Sequence, residues 1–358
     1  MKKRGQLYVK VKNELLDYIE GLPDNTKIPT RTELVEQFHV TRTTVDRAIS
    51  ELIGEGYLSA KVGSGTYVSK DKKPSMVFSH PIDSWGLILP NIAQNSYPEL
   101  ARAVEDVCSS SMINLIVCNT DNDSQKEYRY MQKLINSHVS GIIIVPAVNN
   151  IFLDGYQELK DHGIKYVLCN RRVEGLNAPK VIANDFLGAY MVTRHMLSKG
   201  WKKPAYISGV YYSTSEQRYI GYQSALYESN INLQNEYVVF AENLTKPYLE
   251  LGYEAMKRML KLPDPPDSVV CFNDILAVGV YQALEEAGLK PGKDIGVVGY
   301  DNTHLSSELP VKLTTVRFPS YEIGRKASEI LLDMVNGVEY QENHTVLFHP
   351  ELMIRDSC

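Results

Sequence analysis

The chain has 358 residues, 44% apolar and 23% charged, with a formal net charge of −5. That length exceeds one small domain and sets a prior of two or three, and the composition is that of a soluble globular protein. The acidic balance is uneven: residues 1–75 hold 13 Lys+Arg against 10 Asp+Glu, a net of +3, which leaves 25 against 33, or −8, for the rest.

A mildly basic head on an acidic body fits a small nucleic-acid-binding module joined to a part that binds something else. Cys108, Cys118, Cys169, Cys271 and Cys358 are scattered, odd in number and without a C-x-x-C pair, so they read as small buried hydrophobes in a reducing compartment. Met1-Lys2-Lys3-Arg4 is not followed by a continuous apolar core, and no stretch approaches the length of a membrane span. The expected location is therefore the cytoplasm, with no membrane partner.

Leu7, Val11, Leu15, Tyr18 and Ile19 recur at helical intervals and predict a first helix over about 6–20, closed by Gly21 and Pro23. Thr30 and Glu33 have capping-box spacing directly after Pro29, so a second helix should run to about Phe38. Thr41 is the next N-cap candidate, and Val45, Ala48, Ile49 and Leu52 then share one face. Arg42, Thr43, Thr44 and Arg47 lie near the start of this third helix, away from the apolar stripe, where a recognition helix offers side chains to bases and phosphates. After Gly56 come two short strand runs, 57–60 and 66–68, joined by a turn through Lys61, Gly63, Ser64 and Gly65. The module is a winged helix-turn-helix whose glycine-rich wing tip lets backbone N–H groups approach phosphate closely. Residues 69–84, rich in Lys, Ser and Pro, read as a linker.

From Trp85 short apolar strands alternate with amphipathic helices. The predicted strands are 86–89, 115–118, 141–145, 166–169, 205–208, 237–240, 268–272 and 295–299. The predicted helices are 98–110, 125–137, 186–199, 216–228, 248–260 and 275–287. This rhythm implies parallel βαβ units, and about eight strands over some 270 residues form two open sheets more naturally than one. Two α/β lobes meeting at a cleft place the strand C-termini around a ligand. Asn, Asp and Arg recur there: Asn91, then Asn95, Ser96 and Tyr97; Asn119 to Asp121; Asn149; Asn170-Arg171; Asn273-Asp274; Asp301-Asn302. Such groups satisfy the hydroxyls of a buried sugar, although they also serve as helix caps. Tyr97, Tyr211, Tyr212, Phe272 and Tyr300 offer flat faces to a sugar ring. No H-E-x-x-H, G-x-S-x-G or phosphate-loop pattern is present, so neither an enzyme, a metal site nor a cofactor is expected.

Residues 6–68 resemble the winged-helix domain of GntR-family bacterial repressors, through Ile28-Pro29, Glu33-Leu34, Gln37-Phe38, the run Val40 to Val45, Leu52, Glu55-Gly56 and Gly63 to Val68. The resemblance implies that Arg42, Thr43 and Thr44 contact DNA, with Gly65 at the wing tip in the minor groove. Thr32 stands where the family commonly has a basic residue, with Arg31 beside it, and Asp46 stands where Arg is frequent. Residues 85–357 resemble the effector domain of LacI-type repressors, which is similar to type I periplasmic sugar-binding proteins. Gly86 to Pro90, Cys118 to Asn122, Asn184-Asp185, Arg218 with Gly221-Tyr222, Asn273-Asp274, Val297 to Asn302 and Leu313 to Val316 carry that likeness. It implies effector contacts at Arg218, Asn273 and Asp301 and three chain crossings between lobes.

The expectation is thus an α/β chain with an N-terminal winged helix-turn-helix over 1–68, a linker over 69–84 and a two-lobed, periplasmic-binding-protein-like effector domain over 85–358. Lobe 1 would span about 85–170 and 316–342, with lobe 2 over 171–315 and 343–358. The DNA-binding set is Arg31, Thr32, Thr41, Arg42, Thr43, Thr44, Arg47, Lys61, Gly63, Ser64 and Gly65. The effector set is Ser96, Tyr97, Asn149, Arg171, Arg218, Phe272, Asn273 and Asp301. The implied protein is a homodimeric, operator-binding regulator controlled by a monosaccharide such as a pentose or deoxyhexose. The alternatives are a sugar-binding protein without a regulatory role and a sugar-processing enzyme.

Overall fold

The computed structural model describes residues 2–61, 64–70, 83–93, 96–148, 152–243 and 246–358; at residues 2–10, Thr43 and Arg47 only the backbone is described. The chain divides into two compact units, residues 1–82 and 83–358.

In the first unit, α1 (Lys2–Glu20), α2 (Arg31–Phe38) and α3 (Arg42–Gly54) precede the antiparallel hairpin of β1 (Leu58–Lys61) and β2 (Gly65–Val68). Val11, Leu15 and Ile19 pack with Leu34, Val45, Ile49, Leu52, Leu58 and Val68 into one core, whereas Tyr18 is exposed. The Thr30 N–H donates to Glu33 Oε2 at 2.6 Å and the Glu33 N–H to Thr30 Oγ1 at 3.4 Å, the reciprocal pair that opens α2. The predicted linker is shorter at both ends: the Ser69 N–H donates to Tyr57 O and the Lys70 N–H to Asp24, while Ser84 already belongs to a strand.

The second unit continues with β3 (Ser84–Leu89), α4 (Tyr97–Ser110), β4 (Asn114–Asn119), α5 (Ser124–Asn136), β5 (Gly141–Ile144), α6 (Leu153–Asp161), β6 (Lys165–Cys169) and β7 (Lys180–Ala183). It goes on with α7 (Asp185–Ser198), β8 (Pro204–Ser208), α8 (Ser213–Glu228), β9 (Val238–Phe240), α9 (Tyr248–Met259), β10 (Ser268–Cys271) and α10 (Asp274–Glu286). β11 (Gly296–Val298), α11 (Leu305–Glu308), β12 (Thr315–Arg317), α12 (Ser320–Val335), β13 (Thr345–Phe348) and β14 (Glu351–Met353) complete it. One parallel sheet has the order β13-β7-β6-β5-β3-β4, the other β11-β10-β8-β9, and β12 pairs antiparallel with β14.

This topology corrects the expected lobe boundaries. Lys180–Ala183 and Thr345–Phe348, assigned from the sequence to lobe 2, extend the sheet of lobe 1: β7 pairs with β6, and β13 pairs with β7. The apolar faces of these strands bury Val181 and Ala183 beside β6, so the chain first crosses at Asn184 rather than at Arg171. It returns after β12, because α12 packs on α4 and over β5 to β7, and crosses again between β13 and β14.

In lobe 2, α9 and α10 pack with almost no separation. A Cβ on Gly279 would lie 1.9 Å from Leu249 O, and one on Gly252 would lie 2.1 Å from Leu276 O. Gly279→Ala is therefore expected to destabilise the body by about 1–3 kcal/mol, read as a lower urea midpoint. An unchanged midpoint would mean that the two helices separate without cost.

Candidate functional site

The first candidate site is the exposed face of the head. Thr41 occupies the N-cap position of α3 with extended backbone but makes no cap bond; its hydroxyl lies 2.9 Å from that of Thr44. Arg42 is 77% exposed, and its Nε is 3.8 Å from Asp46 Oδ2. Arg31 donates from Nε to Asp46 Oδ1 at 2.6 Å, so the acidic residue at an otherwise basic position ties the start of α2 to α3. Thr32 is exposed on α2, and Thr43 and Arg47 belong to α3 by their backbone. On the wing, Lys61 donates to Asn25 Oδ1 at 2.9 Å and stands 4.7 Å over the Tyr67 ring, whose hydroxyl is 2.6 Å from Ser64 Oγ. Gly65 has φ +127°, a conformation that side chains resist, and a Cβ there would meet Lys27 Cε at 2.7 Å. Gly63 lies outside the described residues.

The second candidate site is the cleft of the body. A cavity of about 310 Å³ is lined from lobe 1 by Asn91, Tyr97, Asn122 and Arg171 and from lobe 2 by Tyr212, Lys246 and Tyr248. Each follows the C-terminal end of a strand. Arg171 and Tyr212 also line a second cavity, of about 820 Å³, together with Arg172, Tyr211, Ser213 and Gln217. Arg171 is 5% exposed; its Nη1 donates to Asn122 Oδ1 and to Pro146 O, both at 2.7 Å, and its Nη2 to Tyr97 Oη at 2.9 Å. The guanidinium lies 4.9 Å over the Tyr212 ring.

Arg218 is 4% exposed and organises a second cluster. Its Nε donates to Asp185 Oδ1 at 2.8 Å, its Nη1 to Phe272 O at 2.7 Å, and its Nη2 is 3.7 Å from Asp301 Oδ1. The same guanidinium is sandwiched between the Tyr300 ring at 3.5 Å and the Phe272 ring at 4.6 Å. Phe272 in turn meets Tyr212 and Tyr248, which connects this cluster to the smaller cavity. Burial pushes Asp301 up to about 8 despite Arg218, and the neighbouring Asp274 and Asp185 add to the rise. Burial likewise raises Asp274 to about 6, against the Thr315 and Thr303 hydroxyls and the Thr303 N–H that donate to it. Asn273 spends its carbonyl on the Leu276 N–H as the cap of α10, and its buried Nδ2 has no partner.

The structure thus places Tyr97 and Arg171 on the lining of the smaller cavity and Arg218, Phe272, Asn273 and Asp301 in the buried cluster joined to it through Phe272. Ser96 is the half-buried N-cap of α4, without a cap bond, and Asn149 lies outside the described residues. Asn119 and Asp121 prove to be loop supports: Asn119 donates to Asp121 and accepts from the Ile92 N–H, and Asp121 pairs with Lys126. Tyr248 and Lys246 were not singled out from the sequence, although Tyr248 opens α9 just after a strand by the same positional rule. Among the described residues there is no cluster of metal-ligating side chains, and no helix is long and apolar enough to cross a membrane.

Two family profiles match the chain, one described as bacterial regulatory proteins of the gntR family over residues 7–68, the other as a periplasmic binding protein-like domain over 193–358. The arabinose metabolism transcriptional repressor of Geobacillus stearothermophilus is 31% identical over 98% of this chain and 97% of its own. The HTH-type transcriptional repressor PurR of Actinobacillus pleuropneumoniae is 31% identical over 76% of this chain and 80% of its own. Among solved structures, a LacI family transcriptional regulator from Enterococcus faecium with bound ribose aligns over 77% of this chain and 98% of its own. Its identity is 27% and its TM-score 0.66.

Proposed function

This chain belongs to the transcriptional repressors that join a GntR-family DNA-binding head to a periplasmic-binding-protein-like body, and from that premise we propose that it represses carbohydrate-utilisation genes under the control of a small sugar. The observation that carries the sugar is the cavity lined by Arg171, Asn91, Asn122, Tyr97, Tyr212 and Tyr248, with Arg218, Asp301, Phe272 and the unpartnered amide of Asn273 in the buried cluster adjoining it. Donors and acceptors mixed with flat apolar faces suit a polyhydroxylated ring of monosaccharide size, a pentose or deoxyhexose among them. The ribose-bound relative supports the same class.

The head reads operator DNA through Arg42, Thr43, Thr44 and Arg47 on α3, Arg31 and Thr32 on α2, and the wing. Two copies of a short recognition helix read half-sites about one helical turn apart, so the working form is a cytoplasmic homodimer. The sugar acts as a switch by binding two arrangements of the lobes unequally, with a coupling of roughly 1–3 kcal/mol. No catalytic step is assigned to the cleft.

Arg42→Ala in the full chain should weaken operator binding by about 1–3 kcal/mol if Arg42 reads a base, and flatten the salt dependence by about one charge if it touches phosphate. Sugar binding, followed by thermal shift in the same protein, should be unchanged. Equal loss of both activities would sink the two-module reading.

A further inference from the structure

The two buried arginines of the cleft differ in one respect. Arg218 has carboxylates at 2.8 and 3.7 Å, whereas no carboxylate lies within ion-pair distance of Arg171 among the described residues. Among the described residues, every hydrogen-bond partner of the Arg171 guanidinium is neutral: the Asn122 amide, the Pro146 carbonyl and the Tyr97 hydroxyl. Its Nε is buried and makes no hydrogen bond. A guanidinium withdrawn from water keeps its charge, and such charges are ordinarily paired inside proteins.

Glu127 attracts the Arg171 charge through space, but it is already engaged by the Ala147 N–H at 2.6 Å and the Tyr156 hydroxyl at 2.9 Å. Of the other acids that line the two cavities, Asp121 is paired with Lys126 and Glu216 accepts from Tyr211, while Glu174 is exposed. On the cationic side, Arg172 lines the larger cavity beside the N-terminus of the 16-residue helix α8, whereas Lys246 of the smaller cavity is already paired with Glu250 and Glu254.

We infer that the effector is an anionic sugar, whose carboxylate or phosphate group supplies the missing counter-charge to Arg171 while its ring takes the remaining polar groups of the cleft. This rests on the reading of the cleft as a sugar site. The anion accepts from Nε and from the Nη2 edge of Arg171, and the Tyr212 face holds the guanidinium plane in register for a two-oxygen contact.

The test is a thermal-shift series on the full-length protein with matched pairs: galactose and galacturonate, glucose and glucuronate, glucose and glucose 6-phosphate, ribose and ribose 5-phosphate, arabinose and arabinose 5-phosphate. At least one anion should raise the melting temperature while its neutral congener does not, and the acid and phosphate arms identify which group is read. Arg171→Met should weaken binding of the responding anion on the order of 100-fold. Arg171→Lys, which keeps the charge but loses the planar fork, should retain part of it. Should Arg171→Met fail to fold, Arg171→Lys together with the salt dependence of wild-type binding decides the matter. A shift with neutral sugars alone, or one equal within a pair, overturns the inference and leaves the sugar reading standing. No response to any member of the series removes both.

Discussion

Arg218→Ala is expected to be the most damaging single substitution in the body. It leaves Asp185 buried without the cation that donates to it at 2.8 Å, and removal of one partner from a buried ion pair costs about 3–5 kcal/mol. It also frees the Phe272 carbonyl and removes the plate held between Tyr300 and Phe272. A urea titration of the full chain should show the body unfolding at a clearly lower denaturant concentration, and the thermal response to sugar should vanish. Arg218→Lys should recover part of the stability through its charge, but it lacks the fork that reaches Asp185 and the Phe272 carbonyl together. An alanine variant as stable as the parent would mean that the Asp185 carboxylate is satisfied in some other way.

The second large effect is a dependence of sugar affinity on pH. Asp301 sits among Arg218, Asp185 and Asp274, with burial holding its carboxyl near 8, so it is mostly protonated at neutral pH without ligand. A sugar hydroxyl that donates to Asp301 favours the carboxylate and expels the proton. Affinity should therefore rise with pH toward about 8, approaching tenfold per unit below it when one proton is released per sugar bound, and level off above. The sign for stability is opposite. An acid raised by folding contributes stability that is fully present below its unfolded value near 4 and is lost as pH rises through about 8. The unliganded body thus weakens across the window in which sugar binding strengthens. Calorimetric titrations between pH 6 and 9 would measure this, and Asp301→Asn should flatten the profile; a profile that stays steep in that variant assigns the proton elsewhere.

The head was legible in the sequence because its signals are local. Thr30, Glu33, the apolar stripe of α3 and the glycine turn each act within a few residues of one another. Asp46 could be seen as unusual, but its bond to Arg31 depends on how α2 and α3 pack. In the body, β7, β12, β13 and β14 were missed: β12 and β14 have at most two apolar residues in a row, and β7 and β13 break the strand–helix rhythm, β7 following β6 and β14 following β13 with no helix between. Missing β7 misplaced the first crossing, and Asp185, seen only as part of the family likeness, was not recognised as the partner of Arg218. Arg171 was placed correctly at a strand end. Its lack of a carboxylate is a property of three-dimensional neighbours, and no spacing rule encodes it.

The last crossing also bears on the order of events during synthesis. β13 closes one edge of the first sheet, while Arg355 donates to Asn302 and Leu313 O, and Ser357 joins Val297 to Thr314 in the second lobe. Both lobes therefore wait on residues 345–357 to acquire their final edges, whereas every contact of the head's core is translated by Val68. On the ribosome, the DNA-reading fold can be complete nearly three hundred residues before the fold that governs it. For that interval a nascent chain carries a reader without a regulator.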